Sequence, residues 1–319
     1  MTTLISIGEL LVEFVSHQKD CHLQALVEYS GPYPSGAPAI FADQAAQCGA
    51  KSMIFGSIGD DGFGKVLTNR FSQNGVISEG VSVTDATTGT AFVSYNSDGS
   101  RNFIFHIGNT AADSLIFEEA KLPEGDLLLH ISGSSLGNEK LRAQINNAVD
   151  AVIARGGKIC CDPNARPEIM SNPEAFASLK EIVSKSSILL PSTADLTYLY
   201  PGLNEAEAIH EVFNSGAELV VLKRGSDGVL VSSASESFEL SPFEVEEIDP
   251  TGAGDCFCGT LVASLISGKS LLDAAQLANA AGALSVTKRG PMEGNSNISK
   301  ISAFIASQSV GNKIITRES

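Results

Sequence analysis

The segment Asp249-Pro250-Thr251-Gly252-Ala253-Gly254-Asp255 sets two carboxylates six positions apart around a Thr-Gly-Ala-Gly turn, and the apolar run Cys256 to Ser267 follows at once. Its glycines free the backbone where a helix begins, so successive N–H groups aim outward at the helix's positive end. That arrangement suits an anion. Asp255, at the edge of such a hole, cannot be the anion bound there; a carboxylate in that place can take the proton from a hydroxyl attacking phosphorus. A lone Asp before a helix would be read as an N-cap. A second acid bracketing the turn exceeds what capping requires.

The elements around this turn read as an α/β chain. Leu4 to Ile7 is a short buried strand running into Gly8-Glu9, and Leu10 to Val15 continues extended. Residues 14 to 34 lack helical periodicity and carry Pro32 and Pro34, which suits edge strands of a small lobe. Ser35-Gly36-Ala37-Pro38-Ala39-Ile40 opens a helix through Cys48, with Pro38 tolerated in its first turn. Ser52 to Ile58 is strand-like, and a helix then runs to Asn74-Gly75. The runs Thr88 to Tyr95 and Arg101 to His106 flank Asp98-Gly99 and predict a β-hairpin. From Asp126 onward strand and helix alternate, which implies a parallel sheet wrapped by helices. Ligands of such sheets collect at the C-terminal ends of the strands.

Composition narrows the class. The 319 residues carry a net charge of -16, and 43% are hydrophobic, enough for a substantial core. An acidic chain without a basic cluster speaks against nucleic acid or an anionic membrane as partner. The longest apolar stretches fall short of a membrane span, and no basic-then-apolar leader is legible. The six cysteines show no CxxC or metal-ligand spacing and read as reduced, buried hydrophobes of a cytoplasmic protein.

Taken with the order of these motifs along nearly the whole chain, the Asp249 to Asp255 segment resembles the D-T-x-G-A-G-D signature of the ribokinase-like (PfkB) carbohydrate kinases, with Pro250 where many members have Thr. The resemblance implies a doubly wound, mostly parallel sheet flanked by helices over 1–12, 35–86 and 109–319, and a small β-sheet lid from 13–34 and 87–108. It implies Asp255 as the base, with the Gly252, Ala253 and Gly254 N–H groups as the anion hole. Glu13 takes the place of the family's sugar-binding acid; a solvated Glu on an exposed strand is the alternative. Gly36, Ala37 and Ile40 occupy the G-G-x-x-x-N sugar turn, where Ile40 replaces the amide. Phe105 and His106 lie on the segment re-entering from the lid, and His106 stands where relatives acting on fructose or on 2-keto-3-deoxygluconate commonly have Arg. His in that place implies an uncharged sugar; lid packing is the alternative.

Asp162-Pro163-Asn164-x-Arg166 matches D-x-N-x-R and puts Arg166 near substrate or the moving phosphate, unless it only anchors its loop. Ser192 and Asp195 replace an N-x-x-E pair that acts on phosphates and, through water, on Mg²⁺; a helix start is the alternative. Lys223, Gly225, Ser226 and Gly228 match the nucleotide turn, with Gly252 and Gly254 beyond it, and Asn279 the adenine wall. Asp249, Thr251 and Gly290 are expected around a monovalent cation such as K⁺. The resemblance is closest to fructokinase-like and ketodeoxygluconokinase-like members. It implies ATP, Mg²⁺, a small sugar, first of all a ketohexose such as fructose or tagatose, and a homodimer through the lid. A 2-keto-3-deoxygluconate kinase, a ribose or nucleoside kinase, and a non-catalytic sugar-binding relative are the alternatives.

Overall fold

Short apolar strands and amphipathic helices build one large sheet and one small one in the computed structural model, which describes residues 2–98, 100–166, 171–308 and 314–316. The strands are β1 (Thr3–Ile7), β2 (Leu11–Ser16), β3 (Tyr29–Ser35), β4 (Ser52–Gly59), β5 (Ile77–Thr84), β6 (Gly89–Tyr95) and β7 (Arg101–His106). They continue with β8 (Leu127–Ser132), β9 (Lys158–Asp162), β10 (Ile188–Leu189), β11 (Leu219–Lys223), β12 (Val229–Ser233), β13 (Ser237–Leu240) and β14 (Ile314–Thr316). The helices are α1 (Ala37–Gln47), α2 (Gly62–Asn74), α3 (Glu139–Ala154), α4 (Pro173–Lys185), α5 (Thr193–Leu199) and α6 (Glu205–Asn214), then α7 (Ala253–Ile266), α8 (Leu271–Ser285) and α9 (Ile298–Ser307).

The large sheet has the order β14-β13-β12-β11-β10-β9-β8-β1-β4-β5. From β5 to β11 neighbouring strands run parallel, and β12, β13 and β14 extend it antiparallel. Alternation along the strands assigns the two helix layers. In β8, Leu127, Leu129 and Ile131 join the core under α3, α4 and α6, while Leu128 joins the core under α1, α7 and α8. His130 follows Leu128 and stacks on Phe41 of α1, ring centroids 3.8 Å apart. A sheet covered on both faces is the doubly wound arrangement, and sequence reasoning overlooked its edge strand β5, whose polar alternation with Glu79 and Gly80 lacks an apolar run.

The small sheet has the order β3-β2-β6-β7, with β2 and β6 parallel and the outer pairs antiparallel. Pro32 and Pro34 lie in edge strand β3, where a missing N–H costs no ladder bond. One end of β6 is moored to the main body: Thr88, just before it, donates its N–H and hydroxyl to Asp61, the N-cap of α2, at 2.8 Å each. Gly99 in the hairpin turn and most of the tail beyond residue 308 lie outside the described residues.

Candidate active site

Two clefts meet at the turn before α7. Gly252 is the N-cap of that helix, at φ 81°, and a Cβ there would lie 2.4 Å from the Pro291 carbonyl oxygen, so only glycine makes this turn. Ala253, Gly254 and Asp255 form the first helical turn, where N–H groups have no preceding helical carbonyl. Ten residues of α7 are buried, so the helix end is held rigidly and its positive pole faces the junction of the clefts.

One cleft, of about 360 Å³, is lined on this turn by Pro250, Ala253 and Gly254. Lys223, Gly225, Ser226, Gly228 and Asn279, five of the residues expected at a nucleotide, line it too. Gly282 and Ala283 of α8 leave a flat wall, opposed by Phe243 and Val245 from the loop after β13. That loop escaped sequence reasoning because it has no periodicity. Asn279 donates to the Ser241 carbonyl at 2.8 Å and so fixes the start of the loop. The Lys223 ammonium pairs with Asp162 and comes close to Gly254. Burial alone would lower its proton affinity, but the Asp162 charge reverses the sign, so Lys223 stays a cation beside the anion hole.

The second cleft, of about 80 Å³, is lined by Thr251, Gly252 and Asp255 of the same turn. Glu13, Gly36, Ala37, Ile40, Phe105 and Arg166, expected at a sugar, are brought together here. Glu9, the acid read at the C-terminal end of the first strand, lines it as well, and so do Arg101, Phe103 and Ser134, which were not singled out. A Cβ on Gly36 would lie 2.4 Å from the Glu9 carbonyl oxygen, which is how the chain turns into α1 beside the pocket. Ile40 is buried against Gly252 and gives the pocket an apolar wall where an amide was expected. Arg166 lies over the Phe103 and Phe105 rings at 5.2 and 5.9 Å, and Arg101 over Phe103 at 5.7 Å.

Burial dominates the acids of this cleft. It pushes the Asp255 carboxyl up to about 8, the Asp162 charge adding to it and Lys223 and Arg166 opposing. Asp255 Oδ1 is buried with no partner among the described residues. Glu13 is also pushed up to about 8, by burial and then by Asp249, against the Ser35 hydroxyl that donates to it at 3.4 Å. Burial raises Glu9 likewise.

Three expectations meet a different geometry. His106 is exposed and lines a separate cleft of about 450 Å³ with Asp61, Phe63, Thr90 and Phe92. The period of two explains it: residues 101, 103 and 105 of β7 turn one face to Asp255, and His106 belongs to the opposite face. The charge of the substrate therefore cannot be read from position 106. Ser192 is the N-cap of α5 and forms a capping box with Asp195. Asp195 accepts at Oδ1 from the Ala165 N–H at 2.7 Å and at Oδ2 from the Ser192 N–H and hydroxyl, so the pair shapes the Arg166 loop, while Ser192 bridges to Lys223 and the Asp195 charge acts on Lys223 and Asp162. Asp249, Thr251 and Gly290 do converge, but the bonds to Asp249 come from donors: Thr251 N–H at 3.0 Å, Gly290 N–H at 2.8 Å and the Tyr95 hydroxyl.

Comparison with known proteins agrees with this geometry. The family model described as "pfkB family carbohydrate kinase" matches residues 1–298. Probable fructokinase-4 of Arabidopsis thaliana is 31% identical over 301 residues, 90% of this chain and 91% of the relative. An E. coli protein provisionally described as a ribokinase II, solved with ATP and Mg²⁺, superposes with a TM-score of 0.91 at 39% identity, covering 97% of this chain and 100% of that one. Fructokinase from Vibrio cholerae O395, solved with fructose, ADP and calcium ion, gives 0.83 at 27% identity over 95% of this chain and 99% of that one. The chain belongs to the pfkB family and is a carbohydrate kinase, a phosphotransferase whose acceptor is a sugar hydroxyl.

Proposed function

We propose that this kinase transfers the γ-phosphoryl group of ATP to a hydroxyl of a ketohexose, fructose before tagatose. The observation that carries this reading is that one turn, Thr251 to Asp255, lines both clefts, so a triphosphate in one and a sugar in the other would meet across it. The names of the similar proteins, fructokinases among them, support the choice of fructose. In this mechanism Asp255 takes the proton of the attacking hydroxyl while the N–H groups of Gly252 to Asp255 and the Lys223 ammonium face the charge growing on the phosphoryl oxygens. The buried Asp162 carboxylate beside Lys223, with the Asp195 charge near it, fits a divalent ion carried on the nucleotide's phosphates, while the unpartnered Asp255 oxygen is kept for the proton. Mg²⁺ would neutralise phosphate charge there.

The small sheet acts in this reading as the lid, its β7 face closing the sugar cleft against water. The exposed Ile104 on the other face supports a homodimer through the lid, and six free cysteines suit the cytoplasm. A monovalent cation near the turn rests on the resemblance, with the buried Asp249 carboxylate as the charge that would attract it, and a KCl titration measures it.

A second reading, a 2-keto-3-deoxygluconate kinase, draws on Arg101 and Arg166, which line the sugar cleft together and could pair with a carboxylate. ADP release with ATP, Mg²⁺ and K⁺ over fructose, tagatose, 2-keto-3-deoxygluconate, ribose, inositol and nucleosides decides between them. Release with the ketohexoses supports the first reading. Release with the keto acid alone transfers the assignment to the second, and silence with all of them overturns both.

A further inference from the structure

Tyr95 ends β6 opposite the Thr88 mooring, and its hydroxyl crosses from the small sheet to the turn before α7. It donates to Asp249 Oδ1 and lies 2.6 Å from Thr251 Oγ1. Asp249 is 1% exposed, and it stands three residues before the Gly252 cap whose turn builds the anion hole. Burial, then the Asp249 charge, pushes the Tyr95 hydroxyl far above its usual range, so it remains a neutral donor. A second contact joins the small sheet to the segment after α8, where Arg289 donates to the Ser16 carbonyl at the end of β2 at 3.2 Å. Nothing in the proton transfer itself uses Tyr95.

We propose that Tyr95 is a positioning residue: by latching the closed small sheet onto Asp249 and Thr251, it sets the Thr251 to Asp255 turn in its phosphoryl-stabilising geometry when the sheet covers the sugar. The physical ground is that a buried carboxylate holds two N–H donors, from the turn and from Gly290 after α8, and the tyrosine adds a donor from the small sheet that walls the sugar cleft. Closing the lid then completes the donor set of Asp249, and the peptide planes between Asp249 and Gly254 settle together. A displacement of about 1 Å at such a turn costs on the order of 10²-fold in rate. The inference rests on the kinase reading but not on which sugar is chosen.

The test is a double-mutant cycle of Tyr95→Phe and Asp249→Asn, read in two ways. With saturating ATP and fructose, or whichever panel sugar the wild type phosphorylates, Tyr95→Phe should lower kcat by about 10- to 100-fold. The KM for ATP should stay near wild type, since the ring keeps its packing and the nucleotide cleft is untouched. In the Asp249→Asn background most of the Tyr95→Phe effect should vanish, because the acceptor has already changed. The same cycle on thermal midpoints, with and without the sugar, reads the contact itself without turnover, so a wrong substrate and a wrong latch give different results. A Tyr95→Phe kcat within about twofold of wild type, or effects that simply multiply in the double variant, would overturn the proposal.

Discussion

The two clefts share one turn and are otherwise built on different principles. The nucleotide cleft is walled by rigid elements of the main body: the Gly225 to Gly228 turn, the small residues of α8 and the start of α7. In the proposed reading its selectivity would lie in shape and N–H groups, with Lys223 supplying a cation. The sugar cleft is walled on one side by the small sheet and packed with ionisable side chains: Glu9, Glu13, Arg101, Arg166 and Asp255. Substitutions that add bulk should therefore act on ATP, and changes of charge or pH on the sugar and the chemistry.

The largest expected effect is at the shared turn. Asp255→Asn should lower kcat by about 10²- to 10⁴-fold while ATP still binds, as a coupled ADP-release assay with thermal-shift binding would show. Next comes Gly252→Ala. Its Cβ meets a backbone oxygen from a left-handed conformation, so the anion hole should distort and kcat fall by about 10²- to 10³-fold. Gly282→Leu should sharpen the contrast from the other side. A Cβ at Gly282 has only ordinary contacts with Ala253 and Phe257, so the fold tolerates it, and the larger chain fills the nucleotide cleft. KM for ATP should rise about tenfold or more with the sugar KM unchanged; equal rises in both would break the division.

The smallest effect is on stability, and its sign follows from Asp255. Its folded proton affinity lies above the unfolded one, so its contribution is full below the usual carboxylate range and is lost as pH rises toward 8. Asp255→Asn removes that loss, so the variant should melt higher than wild type at alkaline pH and the difference should shrink in acid. A constant difference across pH would contradict the burial argument.

Much of this was legible in the sequence. The Asp249 to Asp255 segment announces its turn because Gly, Gly and two acids have few other uses together, and the strand–helix alternation announces the large sheet. The side of a strand was equally legible and went unused: Arg101, Phe103 and Phe105 alternate with His106, and counting by two separates them. Resemblance drew attention to position 106, and Arg101, which lines the cleft beside Arg166, was passed over. Ser192-x-x-Asp195 carries a capping-box pattern that sequence alone could not distinguish from a phosphate pair; the structure shows the cap, and shows it beside Lys223. The Tyr95 to Asp249 contact spans 154 positions and joins the small sheet to the turn before α7, so no local pattern announces it.

The pH dependence of kcat/KM for the sugar tests most directly whether Asp255 is the base at the shared turn. In the free wild-type enzyme activity should fall about tenfold per pH unit on the acid side of an apparent value near 8, because burial holds the carboxyl protonated there. Glu13, also near 8, faces the same cleft, so the residual activity of Asp255→Asn serves as the control and should lose that limb. A wild-type profile flat over about pH 5 to 9, or the same limb persisting in Asp255→Asn, would contradict the account.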